Sequence, residues 1–83
     1  MHIIEPYHDN EARGVLFEVV VEGRRAQGYI SCTLLEVLVG SAVDGNGAVA
    51  AYRRHQREID AVVALRAPAE AWETVMLRRA DLQ

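Results

Sequence analysis

The stretch Val15-Leu16-Phe17-Glu18-Val19-Val20-Val21-Glu22-Gly23-Arg24-Arg25-Ala26-Gln27-Gly28-Tyr29-Ile30-Ser31 decides the fold. Residues 15–22 are rich in β-branched and aromatic side chains and alternate in part, as suits a half-buried strand. Gly23-Arg24 reads as a two-residue turn of the II′ type, with glycine first. Residues 25–31 then return as the partner strand. This turn opposes Val21 to Ala26, Val19 to Gly28 and Phe17 to Ile30 on one face. It opposes Glu22 to Arg25, Val20 to Gln27 and Glu18 to Tyr29 on the other. The first face is apolar and the second mixed, as expected of a sheet covered on one side.

Helices follow the hairpin. Thr33-x-x-Glu36 matches a capping box, and Leu34, Leu35, Val37 and Leu38 give a short helix that Gly40 ends. Residues 41–47, with Asp44-Gly45-Asn46-Gly47, read as a loop. Residues 48–67 read as one long helix, with Val49, Tyr52, Ile59 and Val63 on a single stripe. Pro68 cannot continue it. Residues 72–79 alternate enough for a last strand, with Val75 and Leu77 on one face and Thr74 and Met76 on the other. Upstream, Ile3 and Ile4 suggest a short strand that Pro6 ends, and His8-Asp9-Asn10-Glu11 reads as a turn. The expected fold is α+β in two layers. An antiparallel sheet of three to four strands carries two helices packed on one face.

The chain has 83 residues, 51% hydrophobic and 25% charged, which leaves room for one small domain over residues 1–83. Net charge is −3, and all nine basic residues are arginine. A mildly acidic whole does not draw phosphate backbones from a distance, which counts against general nucleic-acid binding. Cys32 is the single cysteine and cannot form an internal disulfide, which fits a reducing compartment. No apolar run follows a basic start, and the best apolar run is broken by Glu18. These features lead us to expect a cytoplasmic location with no membrane contact.

In order, the landmarks Val15-x-Phe17, Glu22-Gly23, Ile30-Ser31, Leu35, Gly40, Tyr52, Arg54 or Arg57, Ile59 and Asp81-Leu82 resemble those of a small bacterial family, the domain of unknown function 1488 (DUF1488). The resemblance runs from about Ile3 to Leu82. It implies a two-layer α+β fold and no activity. One position departs from it: Gly28 stands where many members carry cysteine, so no thiol chemistry is transferred.

No catalytic constellation stands out. Cys32 lies at a strand-to-helix junction, where a thiolate can be stabilised, yet the hairpin alternation points it to the core. Cys32, Glu18 and His55 are the only residues an enzyme reading could nominate. His2, His8 and His55 match no zinc spacing, so neither a metal nor another cofactor is expected. Arg53, Arg54 and Arg57 form the densest basic cluster, split by the helical wheel into two mixed-charge patches, with Arg54 one turn before Glu58 and Arg53 and Arg57 beside Asp60. Tyr29 falls on the mixed face with Leu16 and Val20. Trp72 is a second amphipathic aromatic. Ala51, Ala61, Val62 and Leu65 form a second apolar band on the long helix, broader than one packed face needs.

The candidate interaction surface is therefore Tyr29, Arg53, Arg54, Arg57 and Leu65. The expected function is non-catalytic binding, as a homodimer or as an accessory to a protein partner. The alternative is a nucleic-acid-associated regulator using the arginines.

Overall fold

The computed structural model describes residues 5–82. It shows a four-stranded mixed sheet in the order β1-β2-β3-β4, with three helices. The strands are β1 (Tyr7–Asp9), β2 (Gly14–Val21), β3 (Arg24–Ser31) and β4 (Val75–Met76). The helices are α1 (Cys32–Val39), α2 (Ala48–Arg54) and α3 (Gln56–Arg66). Short 3-10 turns at Pro68–Glu70 and Arg79–Leu82 flank β4. The expected α+β architecture is present, with two differences: the sheet is mixed, and the helices are three.

The hairpin forms as its alternation demands, but two residues out of the expected register. Val21 pairs with Arg24, Val19 with Ala26, Phe17 with Gly28 and Val15 with Ile30. The turn is Glu22-Gly23, both at positive φ (53° and 77°), which is the I′ form rather than the II′ form expected at Gly23-Arg24. A shift of two preserves side-chain parity. Val15, Phe17, Val21, Ala26 and Ile30 therefore still line one buried face. Gly28 leaves space there for the Phe17 ring and for Val63, whose Cγ2 would stand 2.9 Å from an added Cβ.

β1 joins the free edge of β2, with Tyr7 beside Leu16 and Asp9 beside Gly14. His8 and Asp9 are thus in a strand, and the turn falls at residues 10–13, where Asp9 Oδ1 accepts the N–H groups of Glu11 and Ala12. The strand expected at Ile3 and Ile4 lies outside the described residues. Helix α1 is capped by Ser31, whose Oγ accepts the Leu34 N–H at 3.1 Å, and not by Thr33. Glu36 instead reaches forward to the Val43 N–H at 3.0 Å. Gly40 ends the helix in the left-handed conformation (φ 81°), as the sequence indicates.

The expected long helix is interrupted at His55 (φ −113°, ψ 17°). A straight helix from Ala48 to Arg66 would be roughly 28 Å long at 1.5 Å per residue. The break lets α2 lie over β1 and β2 while α3 lies over β2 and β3. Tyr52 and Ile59 both stay buried, Tyr52 against the Phe17 ring at 4.5 Å between centroids. The Tyr52 hydroxyl donates across the break to Asp60 at 2.6 Å. Val63 completes the stripe, while Val49 only packs against its edge.

After Pro68 the chain reverses through Ala71 and Trp72, both at positive φ, and β4 enters parallel to β3. The helices supply the crossover such pairing requires. β4 has two residues rather than a full strand over 72–79. Val75 and Leu77 are buried and Met76 is exposed, which keeps the expected alternation. Arg66 binds the C-terminal turn, donating to Glu70 Oε2 (2.6 Å), Asp81 Oδ2 (2.6 Å) and the Met76 carbonyl (2.9 Å).

Candidate functional site

Every helix packs on one side of the sheet, against Val15, Phe17, Ala26, Ile30 and Val75. The other side carries the alternate residues of each strand. Register alone aligns them. Tyr7 lies beside Leu16, Leu16 beside Tyr29, and Tyr29 beside Met76. These four form one apolar row that crosses all four strands. None of them belongs to the core cluster. Tyr7 is 46% and Met76 53% exposed, and Leu16 and Tyr29 are half-buried.

Polar groups border the row. On one side Glu18 pairs with Gln27, and Gln27 Oε1 accepts the Thr74 hydroxyl at 2.7 Å. One step further lie Val20, 58% exposed, and Arg25, whose guanidinium stands 4.0 Å from Glu18. On the other side lie Asp9, Gly14 and Ser31. Tyr29 is held in place: its hydroxyl donates to the Ala12 carbonyl, and its ring lies over Gly14, where an added Cβ would stand 2.5 Å from ring Cε1. Burial, then the Cys32 and Asp9 charges, push its hydroxyl pKa above the ordinary tyrosine value, so it stays a neutral donor.

The residues singled out by sequence are not brought together. Tyr29 is on the bare sheet face, whereas Arg53, Arg54, Arg57 and Leu65 belong to the helical layer on the opposite side. Arg53 pairs with Glu5 at 2.9 Å. Glu58 faces His55 Nδ1 at 3.4 Å rather than Arg54, and Asp60 serves Tyr52 and Gln56 rather than an arginine. Arg54 borders an open cleft of about 280 Å³ between α1, the 40–47 loop and α2, walled by Val39, Val43 and Ala51. The second apolar band dissolves: Ala51 is buried and Val62 packs against the core, leaving Leu65 (79% exposed) and Ala61.

Cys32, Glu18 and His55 sit on three separate elements, and Glu18 faces away from the helices. Cys32 is half-buried against the core, and burial followed by Glu36 and Asp44 raises its thiol pKa above the usual value, opposite to activation. Trp72 packs against the core under the Arg24 guanidinium, 4.4 Å from its ring centroid. Among the described residues no three His, Cys, Asp or Glu side chains converge as metal ligands would. None of their helices is long and apolar enough to cross a membrane. Sequence reasoning missed Tyr7 and Met76. The signal for Met76 was present in its alternation with Val75, but its strand partner was not.

The fold defines the class: a small two-layer α+β domain in which, among the described residues, the helices cover one face of the sheet. Within it, the chain belongs to the DUF1488 family, described as proteins of unknown function, whose pattern matches residues 4–77. Its structure is similar to the crystal structure of a DUF1488 protein of unknown function from Shewanella loihica PV-4. The TM-score is 0.76 at 16% identity, over 90% of this chain and 87% of that one. No curated protein matches the chain.

Proposed function

We propose that this chain is a non-catalytic interaction module that works through the outer face of its sheet, as a homodimer or as an accessory to a protein partner. The row Tyr7–Leu16–Tyr29–Met76 carries the reading: it is continuous, crosses every strand and has no helix over it among the described residues. Soluble domains normally cover or interrupt such a surface, and a continuous apolar patch with a polar border marks a binding site. Two of the four side chains are tyrosines, a residue type favoured at interfaces because it brings large area with few rotatable bonds.

A protein partner suits this face better than nucleic acid. The charged strand residues beside the row are Asp9, Glu18 and Arg25, which together do not attract phosphate. The arginine alternative loses Arg53 to Glu5, while Arg54 and Arg57 stand on two helices separated by the break. The free thiol and mild acidity suit a cytoplasmic setting.

Cross-linking in cells followed by capture tests the module reading. Wild type and Leu65→Asp should retain the same cross-linked species, and Met76→Asp should lose it. Retention by Met76→Asp would sink the proposal. Salt-sensitive binding to DNA or RNA that an Arg54/Arg57 double substitution removes would favour the alternative.

A further inference from the structure

We infer that the cleft between α1, the 40–47 loop and α2 binds a free α-amino acid with a small aliphatic side chain. The site lies in the helical layer and does not depend on the reading of the sheet face. Its volume of about 280 Å³ suits a single small molecule rather than a nucleotide or a peptide. Val39, Val43 and Ala51 give it an apolar wall, and no aromatic side chain lines it.

Charge selects the occupant. Two lining residues are ionic and of opposite sign, Asp44 from the loop and Arg54 from the last turn of α2. They form no ion pair with each other, and among the described residues Arg54 has no ion-pair partner. Asp44 commits one oxygen to the fold: Oδ1 accepts the Gly47 N–H at 2.9 Å, which leaves Oδ2 for a ligand. A simple anion attracted by Arg54 is repelled by Asp44, and a simple cation meets the reverse. A neutral ligand removes water from both charges and returns nothing. A zwitterion satisfies the two together. The ammonium of an amino acid donates to Asp44 Oδ2, and its carboxylate accepts from the Arg54 guanidinium. A quaternary ammonium would instead need an aromatic cage, which this cleft lacks. The side chain then lies on Val39, Val43 and Ala51, where aliphatic surface is what can be covered.

The cleft is built before any ligand arrives. Glu36 Oε2 accepts the Val43 N–H at 3.0 Å and ties the loop to α1. The Gly47 carbonyl accepts the Ala51 N–H at 2.9 Å and carries the loop into α2. A wall held in this way lowers the ordering cost of binding.

Titration of the nitrogen-labelled full chain with L-valine, read by proton–nitrogen correlation NMR, tests it. Backbone amides within residues 39–54 should shift saturably, with a Kd of about 1 mM, as suits so small a ligand. Isovalerate lacks the ammonium, isobutylamine lacks the carboxylate and glycine lacks the side chain. Each should bind at least about fivefold more weakly than valine. Arg54→Gln and Asp44→Asn should weaken valine binding by a similar factor, whereas Arg79→Gln, off the cleft, should not. Asp44→Asn retains an oxygen for the Gly47 N–H, and the same spectra verify that each variant is folded. No saturable shift in the cleft at about 50 mM valine, well above the expected Kd, overturns the inference. So does isovalerate or isobutylamine binding as tightly as valine, or binding unchanged by Arg54→Gln. The sheet-face reading is untouched by these outcomes and is decided by the capture experiment.

Discussion

Gly28 shows how one missing side chain organises the core. The Phe17 ring and Val63 occupy the space a Cβ would take, so glycine at this position has a packing cause in this chain. Gly28→Ala should destabilise the fold by about 1–3 kcal/mol, the usual range for overpacking a filled core. Urea unfolding measures it, and an unchanged midpoint would mean that the ring has room to move. On the opposite face Gly14 does the same for Tyr29, whose ring and hydroxyl are both committed. The place of Tyr29 on the mixed face, with Leu16 and Val20, was legible from alternation alone. Its anchoring to the Ala12 carbonyl was not, because seventeen positions separate donor and acceptor.

Among the elements, the C-terminal segment depends on charge more than on strand length. β4 has two residues, and Arg66 ties the following turn to α3 through Asp81. Burial alone would raise the Asp81 carboxyl pKa. The Arg78 N–H and guanidinium, with Arg66, outweigh burial and hold it below the usual carboxylate value. The unfolded chain therefore binds the proton more readily than the folded one. This contribution is complete above the unfolded pKa of about 3.9 and is lost as pH falls through the lower folded value. Asp81→Asn should cost about 1–2 kcal/mol at neutral pH by removing charge-assisted bonds. The gap to wild type should begin to narrow as pH falls below about 4 and close only below the lower folded value, where both side chains are neutral. Urea midpoints at neutral and acidic pH check both, and a gap independent of pH would remove the charge explanation. The C-terminal Asp81-Leu82 pair was visible as a landmark of the resemblance. That Arg66 holds it was not, since the two residues lie on different elements.

For the molecule as a whole, the described residues leave one sheet face without helices, and the homodimer form of the proposed module would couple coverage of that face to concentration. Anything that binds the native state alone raises the melting temperature by mass action. For a domain of this size, a dimer should melt about 3–5 °C higher per tenfold increase in protein concentration. Met76→Asp should melt at one temperature throughout. Scanning calorimetry over a concentration series distinguishes the two, and a wild-type melting temperature that does not move would contradict a populated dimer.

Period and chemistry reside in the chain itself, and they specified which side chains of 15–31 are buried, where Gly40 stops α1 and that Pro68 ends the helical run. Those features depend on neighbours a few positions apart, which is why they were readable before any contact was known. Tertiary packing decided the rest. The hairpin slipped by two residues because parity survives such a slip while the turn geometry changes. The break at His55 sets α2 over β1 and β2 and α3 over β2 and β3, a division that no period in the sequence marks. β4 turned parallel because the reversal at Ala71-Trp72 brings it back beside β3. That last choice places Met76 beside Tyr29 and completes the apolar row across four strands. No local pattern encodes it, because the row exists only once residues 7, 16, 29 and 76 become neighbours through the register of the sheet.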